Sequence, residues 1–298
     1  MFRHVGCTTA LAMALTAACM AAPGAPRAPL TPDPSRAVGT PVRRGGYVGD
    51  LPAMLADAVA WSGLLRAVRG GVITEVIPYG AGPLLTTAAG RASLARAIAT
   101  LRAAGARVLL PIAGASRLDA LAPLVAAFPA ARPDGLVSEL EFWNRPARAA
   151  ALAELLDLLA AMRACAVAWR GAGPPIVVGA YLGYPTRAEA ARIAAVVDLV
   201  LLDYSVRDPA RAWGHVHARG GALRARLGWF ARAGVAVWPI LYARGEVDMH
   251  AALVARGPAA IEAQFRAAQA ADSDPDLVAA AVAGFVYFTI EALAPGAR

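Results

Sequence analysis

Lysine is absent from this 298-residue sequence, and cysteine and histidine are scarce, with three and four residues respectively. The formal net charge of +8 at pH 7 therefore reflects arginine. These arginines are scattered singly along the chain and form no basic stripe with interleaved aromatic residues. Proteins that bind the phosphate backbone of nucleic acids usually carry such a stripe. The pattern predicts that nucleic acid is not a partner.

The few cysteines exclude a disulfide framework. Cys7 and Cys19 both fall in the N-terminal segment, which leaves Cys165 in an apolar stretch without a partner. A chain that is exported without disulfides must be stabilised by its hydrophobic core. The histidines and cysteines do not have the spacing of a zinc site. We therefore expect neither a bound metal nor another cofactor.

The N-terminus has the pattern of an export signal. Arg3 and His4 precede an uncharged run over residues 5–18, which has the length of a signal-peptide core and is short for a membrane span. The run ends in Leu-Thr-Ala-Ala-Cys at residues 15–19, which resembles a bacterial lipobox. That resemblance implies that residues 1–19 form a lipoprotein signal and that lipidated Cys19 anchors the protein to a membrane. Secretion or release into the periplasm is the alternative.

Residues 20–44 are rich in proline, alanine and arginine, and this composition predicts a disordered tether. From residue 45 to 298, short β-rich runs alternate with stretches of helical periodicity, as in 92–104 and 147–169. The β-rich runs are 45–49, 73–79, 107–114, 136–141, 176–182, 198–204, 235–242 and 284–290. Eight strands that alternate with helices predict an α/β fold, a single (β/α)8 TIM barrel.

The fourth run ends in two acids. Glu139 and Glu141 are two residues apart, and side chains alternate across a strand, so both carboxyl groups are predicted to point to one side. In a (β/α)8 barrel the site lies at the C-terminal ends of the strands, where this pair falls. Two carboxylates that are close together raise the pKa of one, which keeps a proton available for general acid catalysis.

Other strand ends carry aromatic and polar side chains. We expect these residues to bind the substrate: Tyr79, Trp143, Asn144, Tyr181, Asp203, Trp238 and Tyr242. Any one aromatic residue of this kind can instead pack beneath a loop. As a set around one opening that also holds an acid pair, they predict a carbohydrate site.

Residues 134–141 read Asp-Gly-Leu-Val-Ser-Glu-Leu-Glu and resemble the fourth strand of the family 18 glycoside hydrolases, the chitinase-like barrels, which reads Asp-Gly-x-Asp-x-Asp-x-Glu. Residues 107–114 and 197–205 resemble that family's third and sixth strands. The likeness extends over residues 45–290, and the fourth strand is its most specific part. It implies an exported hydrolase of O-glycosidic bonds in a polysaccharide or glycan.

The same resemblance implies roles for three residues. Glu141 would be the general acid that protonates the leaving oxygen, while the substrate's own N-acetyl group acts as nucleophile. Glu139 stands in place of the aspartate that orients the acetamide, and Tyr204 would help to hold that group. The sequence departs from the pattern at Val137, which replaces an acid, and at Ser205, which replaces an aspartate.

Two other interpretations remain open. Glu141 and Glu246, which follows the seventh run, could be the two carboxylates of a retaining mechanism that needs no N-acetyl group. Alternatively, the protein is a non-catalytic surface lipoprotein that binds carbohydrate through a degenerate barrel site. Val137 favours this second alternative, because it removes an acid from the fourth strand.

The lipobox generates a first prediction. We expect Cys19→Ser to release the protein from the membrane fraction or to mislocalise it, because the variant lacks the thiol that would carry the lipid. Fractionation followed by mass spectrometry of the mature N-terminus measures this directly. Cys7→Ser is the control, since that residue would be removed with the signal. Unchanged membrane association of Cys19→Ser would contradict the assignment.

Overall fold

The computed structural model describes residues 42–204, 208–217, 221–243, 249–280, 282–290 and 293. The predicted signal, Cys19 and nearly all of the predicted tether lie outside the described residues. The tether was predicted to end at residue 44, but Arg43 and Arg44 already belong to the first strand. Within the described ranges, no helix combines the length and the apolar character that a membrane span requires.

Among the described residues, eight parallel strands close into one barrel, which confirms the predicted (β/α)8 fold. The strands are β1 (Arg43–Val48), β2 (Glu75–Pro78), β3 (Arg107–Ile112), β4 (Gly135–Ser138), β5 (Val177–Leu182), β6 (Leu199–Tyr204), β7 (Ala236–Tyr242) and β8 (Gly284–Phe288). Each strand pairs with its neighbours in sequence, and β8 pairs with β1 to complete the ring. A short antiparallel ribbon of Val216–His217 and Gly221–Ala222 lies outside the barrel.

Helices follow the strands in the order that the sequence pattern predicts. They are α1 (Leu51–Ala56), α2 (Ala58–Arg69), α3 (Gly82–Leu85), α4 (Ala88–Ala103), α5 (Ala115–Ala127), α6 (Arg148–Ala168), α7 (Arg187–Ala194), α8 (Leu223–Arg232), α9 (His250–Ala270) and α10 (Pro275–Val278). Gly257, at φ 74°, divides α9 into two helical parts. Short 3-10 turns cover Pro129–Ala131, Phe142–Asn144 and Pro209–Arg211.

Two aspartates fix the starts of neighbouring strands. Asp134, just before β4, accepts a hydrogen bond from the Val108 backbone N–H in β3 at 2.8 Å. Asp198, just before β6, does the same for Val178 in β5 at 2.9 Å and also pairs with Arg163. Each carboxylate therefore satisfies a strand N–H at the N-terminal end of the barrel, away from the predicted site.

The interior of the barrel is a separate apolar core. Val137, Leu201 and Ile240 point inward, while the larger apolar cluster lies between the strands and the helices. Trp238 is 1% exposed and fills the space beside Gly45 and Gly284, because a Cβ added at Gly284 would lie only 3.0 Å from its ring. Small inward residues on β1 and β8 thus accommodate one large ring on β7.

Buried ion pairs close the N-terminal end of the barrel. Arg43 binds Glu75 and lies over the Trp238 ring at 4.6 Å. Arg44 makes two bonds to Glu262 of α9, at 2.7 and 2.8 Å, and Glu262 also accepts a bond from the Tyr287 hydroxyl. These contacts join β1 to α9 and β8. Charges that are removed from water in this way require their partners.

We expect Glu262→Ala to lower the free energy of unfolding by about 3 kcal/mol, because the change leaves Arg44 and Tyr287 buried without their acceptor. Urea denaturation measures this value. The matched control is Glu154→Ala, which breaks the Arg145 pair, where both side chains are about half exposed, and it should cost less than about 1 kcal/mol. Equal losses in the two variants would contradict a structural role for the buried pair.

Candidate active site

Glu139 lies inside the C-terminal mouth of the barrel. Its backbone N–H donates to the Ile112 carbonyl at 2.9 Å, so the pairing of β4 with β3 continues one residue beyond the strand. Val137 points into the barrel, so the side chain of Glu139, two residues later, is directed to the same side. From β1, nearly opposite in the ring, the Tyr47 hydroxyl donates to Glu139 Oε1 at 2.7 Å.

The surroundings of Glu139 change its acidity. Burial raises the pKa of Glu139 to about 8, the Tyr47 hydrogen bond opposes this shift, and the neighbouring Glu141 carboxylate adds to it. A carboxyl group with this pKa keeps its proton at neutral pH. Such a group can donate a proton to a leaving oxygen, as a general acid must.

Glu141 occupies a different environment. β4 ends at Ser138 rather than at residue 141 as predicted, and Glu141 precedes the turn Phe142–Asn144 with its side chain exposed. It accepts a hydrogen bond from Asn144 Nδ2 at 2.7 Å. The pair therefore combines one buried carboxyl group with one that faces solvent, at the same end of the barrel.

Two tyrosines and an aspartate complete the polar part of the mouth. The hydroxyls of Tyr181 on β5 and Tyr242 on β7 lie 3.3 Å apart. Burial raises the pKa of Tyr242 to about 12 and that of Tyr181 further, and Asp203 on the intervening β6 is the next cause for both. Glu141 also raises both values. Both phenols therefore stay neutral and can donate hydrogen bonds to a sugar.

Aromatic rings form the wall behind these groups. Phe288 at the end of β8 lies 5.4 Å from the Tyr47 ring and 5.3 Å from the Tyr242 ring. Trp143 is 8% exposed, meets the Tyr181 ring at 5.3 Å and lies against Gly183. Trp143 therefore supports Tyr181 from beneath and offers a ligand little of its own ring.

Tyr204 and Trp238 are not brought to the mouth. Leu201 and Asp203 point into the barrel, so Tyr204, the next residue, points outward toward the helices. It packs on Phe265 of α9 at 5.5 Å, is 1% exposed, and its hydroxyl has no partner among the described residues. Trp238 fills the barrel interior toward the N-terminal end, where Arg43 lies over its ring. Neither side chain can contact a ligand in the mouth.

Tyr47 and Arg117 belong to the mouth, and sequence reasoning missed both. A pocket of about 160 Å³ opens beside Glu139 and is bordered by Tyr79, which is 47% exposed, and by Arg117 of α5. Strand parity was the available signal for Tyr47, which lies two residues beyond the inward-facing Gly45.

Glu246 and Ser205 lie outside the described residues. Within the described part of the chain, no group of three or more His, Cys, Asp or Glu side chains could hold a metal ion.

No protein-family profile and no curated protein matches the sequence. Among solved structures, the chain is similar to the Ignisphaera aggregans GH53 catalytic domain (13% identity, 89% of this chain and 88% of that chain, TM-score 0.48). A family 1 β-glucosidase from Thermotoga maritima aligns at 11% identity over 85% of this chain and 89% of that one, TM-score 0.47. A monomeric dihydrodipicolinate synthase variant aligns at 13% identity over 66% of this chain and 62% of that one, TM-score 0.39, so this chain spans less than two thirds of its length. At these values the likenesses assign the chain neither a family nor an activity.

The raised pKa of Glu139 predicts a pH-dependent cost to stability. The folded-state pKa of about 8 exceeds the ordinary 4.5, so the carboxyl group loses its proton less readily in the folded protein. The stabilising contribution of the protonated group is therefore fully present below pH 4.5 and is lost as pH rises through about 8. We expect Glu139→Gln to unfold at the same urea concentration as wild type near pH 4.5 and to be more stable by about 4 kcal/mol at pH 8, since each pKa unit corresponds to roughly 1.4 kcal/mol. Glu154→Gln, at an exposed site, is the control. A difference that is the same at every pH would contradict the burial of an ionisable group.

Proposed function

We propose that the protein is a hydrolase of O-glycosidic bonds in a polysaccharide or glycan, with Glu139 as its general acid. The observation that carries this proposal is the position of the Glu139 carboxyl group, which accepts a hydrogen bond from Tyr47 and has a pKa raised by burial to about 8, with the solvent-facing Glu141 two residues away. Glycosidases use one carboxyl group that holds a proton and a second that is ionised. Of the two acids, Glu139 has the raised pKa and Glu141 faces solvent.

The geometry favours an exchange of the roles that the family resemblance implies. Glu141 was expected to be the acid, but it faces solvent, whereas burial disfavours the charged form of Glu139. Glu139 would transfer its proton to the leaving oxygen as the glycosidic bond breaks. Glu141 would stabilise the positive charge that develops on the sugar. Water would then bond to the anomeric carbon and release a proton, and the Glu139 carboxylate would be protonated again.

A mechanism assisted by an N-acetyl group receives less support. The tyrosine expected to hold the acetamide, Tyr204, points away from the mouth, is 1% exposed and packs on Phe265 of α9. Val137 also removes the acid that the resembling family carries inside the barrel. Two protein carboxylates explain catalysis without an N-acetyl group. We therefore propose that the substrate does not require one.

The proposed location is outside the cytoplasm. Lipidated Cys19 would anchor the chain, and the proline-rich residues 20–42 would separate the barrel from the membrane surface. A glycan substrate at the cell surface would then be within reach. Secretion or a periplasmic location is compatible with the same activity.

The second candidate function is a non-catalytic carbohydrate-binding protein. Val137 favours it, because β4 presents an apolar side chain to the interior where the resembling family has an acid. Tyr181, Tyr242 and the exposed Tyr79 would then hold a sugar without cleaving it. The measurements that follow separate the two functions.

Hydrolysis of a panel of polysaccharides, with and without N-acetyl groups, is measured by the release of reducing ends. We expect Glu139→Gln to lower kcat by about 100-fold to 10,000-fold, because the amide cannot supply the proton. Glycan affinity should survive, since the amide is neutral and similar in size. Glu154→Gln is the control, and an unchanged kcat in Glu139→Gln would exclude it as the acid.

The pH profile gives an independent check. Because the acid must be protonated, wild-type kcat/KM should fall about tenfold per pH unit above roughly pH 8. Glu141→Gln should also lose activity, and NMR of the first product anomer shows whether configuration is retained or inverted. Wild-type binding without any hydrolysis, with the binding lost on Tyr79→Ala, would decide for the non-catalytic protein.

A further inference from the structure

The pocket beside Glu139 has an unusual lining. Its lining includes Glu139, Arg117 and the exposed ring of Tyr79. The same lining includes the apolar side chains of Leu85, Leu110 and Leu121. A guanidinium group at the wall of an apolar cavity has lost part of its hydration. An ionic or hydrogen-bonded partner is needed to compensate.

Gly82 leaves the space that the Arg117 guanidinium occupies. A Cβ added at Gly82 would overlap both terminal nitrogens of the Arg117 guanidinium, so the absence of a side chain lets this group lie against the start of α3. Arg117 itself is only partly exposed and belongs to the first turn of α5. The side chain is therefore packed between two helices and does not extend freely into solvent.

Arg117 has no counter-charge of its own. Among the described residues, no carboxylate pairs with it, whereas the half-buried Arg44, Arg148 and Arg163 each bind a carboxylate within 2.8 Å. Glu139 lines the same pocket, and because its pKa is raised to about 8 its carboxyl group is mainly protonated at neutral pH. The pocket thus has one fixed cation in a lining that also includes this carboxyl group.

We propose that this pocket binds an anionic substituent of the glycan, a sugar carboxylate or a sulfate, against the Arg117 guanidinium. The substrate class would then be acidic glycans, an inference that rests on the proposed function. The planar guanidinium matches a carboxylate or sulfate through two parallel hydrogen bonds. Tyr79, at the rim, provides an exposed ring on which the sugar can stack.

The position of the pocket determines where the charged sugar would bind. Because Glu139 and Arg117 line the same cavity, an anionic substituent bound by Arg117 would lie in the cavity that the proposed proton donor also borders. The protonated Glu139 does not repel it. A neutral glycan would leave Arg117 without a partner, which disfavours its binding. Arg117 therefore acts as a specificity residue.

Calorimetry tests this with fragments of oligogalacturonate, alginate and κ-carrageenan. Each is compared with a neutral counterpart, the methyl ester for the carboxylates and the desulfated form for the sulfate. Binding is measured in Glu139→Gln, which keeps a neutral side chain in the pocket. We expect at least one charged fragment to bind about tenfold or more tightly than its neutral counterpart. The charged fragment that binds more tightly than its neutral counterpart identifies the anion as a carboxylate or a sulfate.

Arg117→Gln should abolish that preference, and Arg117→Lys should restore part of it, because the ammonium group keeps the charge without the planar fork. The control is Arg170→Gln, an exposed arginine between α6 and β5 at the opposite end of the barrel. Equal binding of charged and neutral fragments, no binding of any charged fragment, or a preference that survives in Arg117→Gln would overturn the proposal.

The two proposals fail in different ways. Hydrolysis of neutral glycans alone, with no preference for charged fragments, would reject the Arg117 site and retain the hydrolase. A preference that depends on Arg117, in a wild type that cleaves nothing, would retain the site and reject the hydrolase. Thermal unfolding of each variant excludes a general loss of folding as the cause.

Discussion

A carboxyl group that is enclosed in the mouth of a barrel either keeps its proton or bears the cost of burying a charge. Glu139 is in this position, where it accepts a hydrogen bond from Tyr47, and the Phe288 ring packs on the Tyr47 ring. Its raised pKa follows from that burial. The proposed proton transfer, the low charge of the carboxyl group in the pocket that Arg117 also lines, and the expected alkaline limit of activity all depend on this group. Glu141 faces solvent because it lies beyond the end of β4.

The two ends of the barrel interior differ in composition, and this difference places Glu139 at the open end. At the N-terminal end, Arg43, Glu75 and Trp238 fill and close the interior, so no ligand can enter there. At the C-terminal end, polar side chains replace apolar ones in the last inward layer, where Asp203 and Tyr242 face the opening. Strand alternation enforces the change, since a residue one place away points into the helical layer instead.

The sequence predicted the closed barrel and the strand that carries the acids, because strands buried on both faces appear as continuous apolar runs and the helices between them carry apolar residues at helical spacing. It did not predict the partner of Glu139, since Tyr47 is 92 residues earlier and only barrel closure brings the two together. The roles of Glu139 and Glu141 depend on where β4 ends, and strand ends are poorly defined by local pattern. Tyr204 was placed in the mouth because the resemblance fixed its role without regard to strand parity.

Titration of the Glu139 side-chain carboxyl by 13C NMR tests the central claim most directly. The resonance is assigned by its loss in Glu139→Gln. We expect an apparent pKa of about 8 in the wild type and a higher value in Tyr47→Phe, where the hydrogen bond that favours the ionised form is absent. A titration near the ordinary 4.5 would show that the group is charged at neutral pH and would contradict its assignment as the proton donor.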